Sequence, residues 1–254
     1  MGKLRGKKAL VTGASRGIGR AIAIRLAEEG AMVAVHYGRN KEAAEQVVQE
    51  LDRTYGSGFA IGMEFGPHKN IEQLYSVLDE QWIQRTGDHY FDILVNNAGV
   101  GLVQTMEETS EAAFDEVMNI NVKAPFFVTQ HALPRLRDGG RIINLSSAVT
   151  RIALPTIPAY SMSKGAIHPM TLALSKQLGP RGITVNAIMP GFIDTDMNAG
   201  ALEDPGLRQF GAEFSIFGRW GHAEDVADIA AFLASPDSRW ITGQLIDASG
   251  GSHL

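Results

Sequence analysis

Short apolar runs alternate with longer amphipathic runs along most of this chain, and this alternation restricts the fold more than any other feature. The apolar runs predict strands at residues 8–12, 32–37, 59–65, 91–95, 141–145, 183–188 and 244–247. The amphipathic runs predict helices at residues 16–29, 41–53, 71–85, 110–137, 160–178 and 223–234. Runs rich in Val, Ile and Leu are typical of strands buried on both faces. The pattern therefore predicts an α/β fold, a doubly wound parallel sheet of about seven strands with helices on both faces.

The domain organisation predicted from the sequence is a single dinucleotide-binding and catalytic domain over residues 1–254. Hydrophobic residues make up 44% of the chain, enough for a large core, and no linker or repeat interrupts it. Segment 197–219 breaks the strand and helix alternation and contains several aromatic residues. We predict that it is an inserted substrate lid; the alternative is a surface excursion without a catalytic role.

Composition also excludes several classes of function. A net charge of −5 and the lack of a dense basic stretch give no footprint for nucleic acid. The absence of cysteine excludes disulfides and thiolate chemistry, and the seven histidines show no metal-ligand spacing, so no metal is expected. There is no apolar run long enough for a membrane span, and a cytoplasmic location fits.

A glycine-rich segment lies between the first predicted strand and the first predicted helix. Gly13, Gly17 and Gly19 lie within it, together with Ser15, Arg16 and Ile18. Glycines at such a turn let backbone N–H groups approach a pyrophosphate at a helix N-terminus. The segment therefore predicts the phosphate loop of a Rossmann-type fold. The alternative is an ordinary turn, because turns also use glycine.

The end of the second predicted strand indicates which dinucleotide is bound. NAD-binding versions of this fold carry an acidic residue there, whereas this chain has Tyr37, Gly38 and Arg39. No carboxylate would repel a 2′-phosphate, and Arg39 and Arg16 could pair with it. We therefore predict NADP(H), with NAD(H) as the less favoured alternative.

Tyr160 and Lys164 lie four residues apart in a predicted helix and therefore share one face. An ammonium about 4 Å from a phenol favours the phenolate by about 4 kcal/mol at an effective dielectric near 20. That attraction would bring the tyrosine pKa from about 10 towards neutrality, where an acid or base works best. Ser146 and Ser147 follow the preceding predicted strand, at the edge where such sheets bind ligands.

Taken together, these motifs resemble those of the short-chain dehydrogenase/reductase family, over essentially the whole chain. The matching motifs are segment 12–19, Asn96-Asn97-Ala98-Gly99, Ser147 thirteen residues before Tyr160, Lys164, and Pro190-Gly191. The resemblance implies a catalytic set of Asn121, Ser147, Tyr160 and Lys164. In it, Tyr160 donates the proton, Lys164 lowers the pKa of Tyr160 and holds the nicotinamide ribose, and Ser147 orients the carbonyl. Asn121 links the lysine to a water, with Asn119 as its competitor for this role.

The resemblance also implies further cofactor contacts. The adenosine ribose would be flanked by Asn97, Ala98 and Gly99, and the nicotinamide side by Pro190, Gly191, Ile193 and Thr195. Two departures from the family pattern stand out. Glu64-Phe65 occupies the place of an adenine-binding aspartate, and Pro169 lies inside the helix that contains the catalytic residues. Pro169 removes the amide that would bond to the Gly165 carbonyl, which predicts a kink there.

Within the family, the chain most resembles bacterial 3-oxoacyl-[acyl-carrier-protein] reductases, on segment 190–197. The resemblance implies an NADP(H)-dependent oxidoreductase that reduces a carbonyl, with a 3-oxoacyl thioester as the expected substrate. Reduction of another small ketone (sugar, steroid, cyclic ketone or quinone) is the alternative, and a non-catalytic nucleotide sensor is a weaker one. An acyl-carrier-protein partner would need a basic patch, for which Arg135 and Arg137 are candidates. By resemblance we also expect a homo-oligomer, either a tetramer or a dimer.

Overall fold

The computed structural model describes residues 2–54, 57–66 and 71–252, so His68 and His253 lie outside the described residues. Its sheet has seven parallel strands in the order β3-β2-β1-β4-β5-β6-β7. The strands are β1 (Lys8–Val11), β2 (Met32–Tyr37), β3 (Gly58–Gly62), β4 (Phe91–Asn96), β5 (Leu136–Leu145), β6 (Thr184–Pro190) and β7 (Leu245–Ala248). The predicted fold class is confirmed.

The helices cover both faces of this sheet. They are α1 (Gly17–Glu28), α2 (Lys41–Thr54), α3 (Ile71–Thr86), α4 (Glu111–Met118), α5 (Ala124–Ala132), α6 (Pro158–Gly165), α7 (Ile167–Leu178), α8 (Ala199–Glu203), α9 (Pro205–Glu213) and α10 (Ala223–Ala234). One face packs against α1, α2 and α10, and the other against α3, α5 and α7. Each face therefore has its own apolar core.

Strand β1 shows why the sequence specifies two cores. Ala9 and Val11 belong to the core under α1, whereas Leu10 belongs to the core on the opposite face, and all three are fully buried. Side chains alternate along a strand, so a strand covered on both faces must be apolar at every position. Each fully buried large apolar side chain contributes about 1.5–3 kcal/mol to folding.

The strand order also determines where a ligand can bind. The chain winds outward from β1 to β3, returns, and continues from β4 on the other side of β1. In such sheets the crevice forms at the carboxyl ends of the two strands where the winding reverses. Here those ends are Thr12, after β1, and Asn97, after β4.

The helix predicted over residues 110–137 is wrong at its end. It consists of α4, one π-helical turn (Asn119–Lys123) and α5, which ends at Ala132. Residues 136 and 137 already belong to β5. Pro134 explains the early end, because it has no amide to donate to the Gln130 carbonyl one turn earlier.

The helix is interrupted three residues before Pro169, where the sequence predicts a kink. The predicted helix 160–178 is divided into α6 and α7, which meet at Ala166. Tyr160 and Lys164 both lie in α6, before the break. Proline supplies no amide for the Gly165 carbonyl, so the backbone ladder is interrupted there.

Segment 197–219 contains α8 and α9, which lie outside the two layers of helices. Phe192, which follows β6, packs against Phe210, Phe214 and Trp220, with ring centroids 5.1 to 6.3 Å apart. The Trp220 indole donates to the Arg208 carbonyl at 2.8 Å. An aromatic cluster therefore anchors this segment near the end of β6. In the described part of the chain, no helix has both the length and the apolar character needed to cross a bilayer.

Candidate active site

The glycine-rich segment forms a tight turn at the N-terminus of α1. Gly13 and Gly17 have φ angles of 63° and 54°, in the left-handed region that favours glycine. A Cβ on Gly13 would lie 2.8 Å from the Ala98 Cα, and one on Gly19 would lie 2.2 Å from the Gly13 oxygen. Both positions therefore need glycine. The resulting turn leaves the helix N-terminus open to an anion, which fits a pyrophosphate.

The segment after β4 is bonded directly to this turn. The Thr12 hydroxyl accepts from the backbone N–H groups of Asn97 and Ala98, both at 3.0 Å. The Asn97 amide donates to the carbonyl oxygens of Thr12 and Gly13, at 2.9 and 3.0 Å. The predicted cofactor residues on these two segments are thus brought together at the crevice.

His36 is a functional candidate that sequence reasoning missed. Its Nδ1 accepts from the Gly13 amide at 3.2 Å, and its Nε2 donates to the Met63 carbonyl at 2.9 Å. Its ring stacks on Phe65, with centroids 4.5 Å apart. Burial lowers the pKa of His36 to about 4, so the imidazole is neutral. A polar residue at an otherwise apolar strand position was the signal that could have identified it.

The two arginines predicted to bind a 2′-phosphate are already paired with carboxylates. Arg39 is hydrogen-bonded to Glu64, and its side chain is 82% exposed. Arg16 lies 3.9 Å from Asp196, with both side chains exposed. Exposed pairs of this kind are weak, so either guanidinium can exchange its carboxylate for a phosphate. Glu64 therefore lies beside the predicted phosphate site.

Tyr160 and Ser147 meet at the carboxyl edge of the sheet. Tyr160 is in α6, and Ser147 lies directly after β5 and its neighbour Ser146. Burial raises the pKa of Tyr160, and a hydrogen bond with the Ser147 hydroxyl partly offsets that increase. The pair can place a phenol and a hydroxyl against one carbonyl oxygen.

Lys164 is buried and lies one helical turn after Tyr160 in α6. Its Nζ donates to the Leu145 carbonyl at 3.0 Å and lies 5.9 Å from the centroid of the Tyr160 ring. Burial lowers the pKa of Lys164 to about 8, so the ammonium is still the main form at pH 7. The lowered Tyr160 pKa that the sequence predicts is not found. Desolvation of the phenol raises the Tyr160 pKa more than the Ser147 hydrogen bond lowers it, and the Lys164 ammonium is directed at the Leu145 carbonyl.

Of the two asparagine candidates, Asn121 lies in the site. It is buried, its Nδ2 donates to the Val100 carbonyl at 2.9 Å and to the Ser163 hydroxyl at 3.0 Å, and its Oδ1 accepts from the Val100 amide. A Cβ on Gly99 would lie 3.2 Å from Asn121 Oδ1 and 3.4 Å from Lys164 Nζ. Asn119 instead donates to the Asp115 carbonyl on the outer side of the helix. A π-helical turn is common at functional sites, and here it contains Asn121.

The segment after β6 closes the other side of the crevice. A Cβ on Gly17 would lie 3.4 Å from the Thr195 Cγ2, so Thr195 lies against the phosphate loop. A Cβ on Gly191 would lie 2.9 Å from the Ser249 Cα, which explains the glycine at this position. Ile193 is buried and paired with Gly221. Of the predicted residues on this segment, Thr195 therefore lies beside the glycine-rich turn, whereas Ile193 belongs to the core that packs against α1 and α10.

The candidate carrier patch at Arg135 and Arg137 is not near this crevice. Both residues lie at the start of β5, opposite its carboxyl end. Arg135 forms a two-point ion pair with Asp79, and Arg137 pairs with Asp88 at 2.7 Å. These arginines stabilise the amino edge of the sheet, so a carrier patch formed by them would lie away from the crevice.

The arrangement provides a dinucleotide crevice beside a half-buried phenol and a buried hydroxyl and ammonium. Such a site can support proton transfer to a carbonyl oxygen next to a hydride donor. Among the described residues, no group of three or more His, Asp or Glu side chains is placed to hold a metal ion.

Comparison with known proteins identifies the family. The family model described as enoyl-(acyl carrier protein) reductase matches residues 13–253. The solved structure of the angucycline C-6 ketoreductase LanV with bound NADP is 47% identical, with a TM-score of 0.95, and the match covers 98% of this chain and 96% of that chain. The chain therefore belongs to the short-chain dehydrogenase/reductase family, and it is an oxidoreductase of that family.

Two curated relatives at similar identity are named for different reductase activities. A hydroxynaphthalene reductase-like protein of Metarhizium majus is 38% identical over 265 residues, covering 98% of this chain and 96% of the relative. The 3-oxoacyl-[acyl-carrier-protein] reductase FabG of Staphylococcus aureus is 39% identical over 250 residues, covering 98% of each. The chain is thus similar both to proteins named for angucycline and hydroxynaphthalene reduction and to one named for 3-oxoacyl-[acyl-carrier-protein] reduction.

Proposed function

We propose that this protein is an NADPH-dependent ketoreductase that acts on a ketone within a fused-ring aromatic compound. The cofactor proposal is supported by the glycine-rich turn, by Arg39 and Arg16 at the 2′-phosphate position, and by the NADP bound to LanV. When bound, NADPH supplies the hydride. The turn and the N-terminus of α1 would hold its pyrophosphate.

In this proposal the residues of the chain provide the proton and the orientation. The Ser147 hydroxyl donates a hydrogen bond to the substrate carbonyl oxygen, and the Tyr160 hydroxyl donates the proton to the same oxygen. The Lys164 ammonium stabilises the phenolate that Tyr160 becomes. Asn121 holds the Val100 backbone next to Lys164 and thereby maintains the wall of the site.

One observation supports the fused-ring substrate most strongly, namely a set of exposed apolar side chains on two segments that follow strands of the crevice. They lie on the segments that follow β4 and β6: Val103, Met106, Met197, Leu207, Phe210, Ile216 and Phe217. The two segments face each other, because a Cβ on Gly101 would lie 3.8 Å from the Met197 Sδ. A flat apolar substrate would remove much of this surface from water, at about 25 cal/mol per Å². Segment 197–219 would act as the lid over it.

The second candidate substrate is a 3-oxoacyl thioester, which the similarity to FabG favours. It receives less support from the site, because the arginines that could have received an acidic carrier lie at the other edge of the sheet.

The test is NADPH oxidation, followed by near-ultraviolet absorbance, with 1-tetralone as the fused-ring ketone and acetoacetyl-coenzyme A as the thioester. We expect kcat/KM to be at least about tenfold higher for the tetralone, a difference of about 1.4 kcal/mol in transition-state binding. A preference for the thioester would support the second candidate and contradict the first. Tyr160→Phe should lose at least about a hundredfold in kcat while still binding NADPH.

We also propose that the protein is a homo-oligomer, either a dimer or a tetramer, and that it is cytoplasmic. The oligomer is supported by large apolar side chains exposed on α5, α6 and α7, namely Phe126, Met162 and Leu172, and by Trp240, which is 97% exposed. Light scattering during size-exclusion chromatography tests this, and a monomer at micromolar concentration would contradict it.

A further inference from the structure

The two adjacent serines after β5 have different partners. Ser147 is hydrogen-bonded to Tyr160 in the crevice, whereas the Ser146 hydroxyl, which is 4% exposed, faces α6 and α7. Ser146 Oγ lies 2.9 Å from the Lys164 carbonyl oxygen and 2.9 Å from the His168 Nε2. Ser146 and His168 have no part in the chemistry proposed above.

The direction of these hydrogen bonds follows from their chemistry. A carbonyl oxygen can only accept, so the single Ser146 hydroxyl proton is donated to Lys164. His168 Nε2 must then carry a hydrogen and donate it to Ser146 Oγ. Burial and the nearby Arg151 guanidinium hold the pKa of His168 below its ordinary value. The neutral Nε2–H tautomer meets this requirement.

These contacts fix Lys164 to the end of β5 at two points. The side chain is held through Nζ on the Leu145 carbonyl at 3.0 Å, and the main chain through its carbonyl on Ser146. The helix gives less support just beyond, because Pro169 provides no amide for the Gly165 carbonyl. The position of the ammonium therefore depends on the strand as well as on the helix.

We propose that Ser146 and His168 are positioning residues, which hold α6 against the end of β5 so that the Lys164 ammonium stays beside Tyr160. The inference rests on the roles proposed above for Tyr160 and Lys164. It does not depend on which ketone is the substrate. Without these residues α6 can move away from β5, and the ammonium then stabilises the phenolate less.

The experiment compares four variants of the full chain. Ser146→Ala removes both hydrogen bonds, and His168→Leu removes only the histidine donor. His168→Gln keeps an N–H donor at a similar reach. Ser238→Ala is the matched control, because Ser238 is a buried serine that donates to the carbonyls of Leu233 and Ser235, far along the chain from the site.

Two quantities are measured for each variant. The first is the alkaline titration of Tyr160 with NADP⁺ bound, followed by tyrosinate absorbance as the difference from the corresponding Tyr160→Phe protein. The second is kcat and KM for ketone reduction. In Ser146→Ala and His168→Leu we expect the titration to move upward by about half to one pH unit. We also expect kcat to fall about fivefold, with KM changed less than about twofold. His168→Gln and Ser238→Ala should titrate and turn over like the parent.

The inference is overturned if Ser146→Ala and His168→Leu titrate like the parent, or if Ser238→Ala shows the same upward movement. If the parent reduces neither test ketone, the proposed function fails, but the Tyr160 titration still decides the positioning role.

Discussion

At the scale of single residues, His36 connects the phosphate loop to the segment that follows β3. It accepts from Gly13 in the phosphate loop, donates to the Met63 carbonyl and stacks on Phe65. The imidazole can do this only as the neutral Nε2–H tautomer, because a protonated Nδ1 could not accept from Gly13. The integrity of the phosphate loop is therefore linked to the protonation of this residue.

The pKa of His36 predicts a specific loss of stability in acid. Its folded value is about 4, below the ordinary value near 6.5, so the unfolded chain binds the proton more readily. The stabilisation is therefore complete above about pH 6.5 and decreases as the pH falls towards 4. Between pH 7 and 4.5 the parent should lose about 2–3 kcal/mol more unfolding free energy than His36→Gln, measured by urea denaturation. Equal losses in the two proteins would show that His36 is not buried in its neutral form.

Glu64 provides a second prediction at this scale, which concerns cofactor preference. It holds the Arg39 guanidinium and adds a negative charge next to the predicted 2′-phosphate position. Glu64→Gln should therefore tighten NADPH binding about threefold to tenfold and leave NADH binding nearly unchanged, as measured by ligand fluorescence. Glu80→Gln, an exposed position on α3, makes the same change in net charge and should have no effect. Equal effects on NADPH and NADH would argue against competition for Arg39.

At the scale of elements, the packing of the β1–α1 turn depends on glycine at position 19 as well as at position 13. A Cβ on Gly19 would lie 2.2 Å from the Gly13 oxygen and 2.3 Å from the Asn97 Nδ2. Gly19→Ala must therefore displace the turn, and we expect a loss of about 1–3 kcal/mol in stability and at least tenfold weaker NADPH binding. Gly179→Ala is the control, because a Cβ there meets nothing within 4 Å. Thermal unfolding and calorimetric NADPH titration of both variants check this, and parent-like binding by Gly19→Ala would contradict it.

Elements were predictable from the sequence wherever burial determines the pattern. Strands β1, β4 and β6 are buried along their whole length, so they appear as largely apolar runs such as Ala9-Leu10-Val11 in β1. The predicted helix end at residue 137 was wrong. Pro134 ends the helix earlier, because it has no amide to continue the helical hydrogen bonds. The positions of Asn121 and Lys164 could be inferred from motifs and resemblance. The partners Ser146 and His168 could not, because they depend on how α6 and α7 lie against β5.

At the scale of the whole molecule, the crevice lies where the sheet reverses its winding, and segment 197–219 projects beside it from the end of β6. The proposed lid is joined to the core largely through aromatic contacts around Phe192 and Trp220. The phosphate loop touches the root of the same segment at Thr195. The cofactor side and the substrate side of the crevice are therefore in contact, although different residues form them.

Trp220 allows the lid to be tested separately from the cofactor site. Its ring is 7% exposed, packs on Phe192, and lies so close to Gly211 of α9 that a Cβ there would come within 2.4 Å of it. Trp220→Ala removes this anchor together with the hydrogen bond to the Arg208 carbonyl. We expect KM for the ketone to rise at least about tenfold and proteolysis within 197–219 to accelerate, while the Kd for NADPH changes less than about twofold. Trp220→Phe keeps an aromatic ring at this position. Its KM and its rate of proteolysis should therefore lie between those of the parent and those of Trp220→Ala. If KM and proteolysis are unchanged in Trp220→Ala, segment 197–219 is a surface excursion; if NADPH binding weakens equally, Trp220 supports the whole crevice rather than the lid.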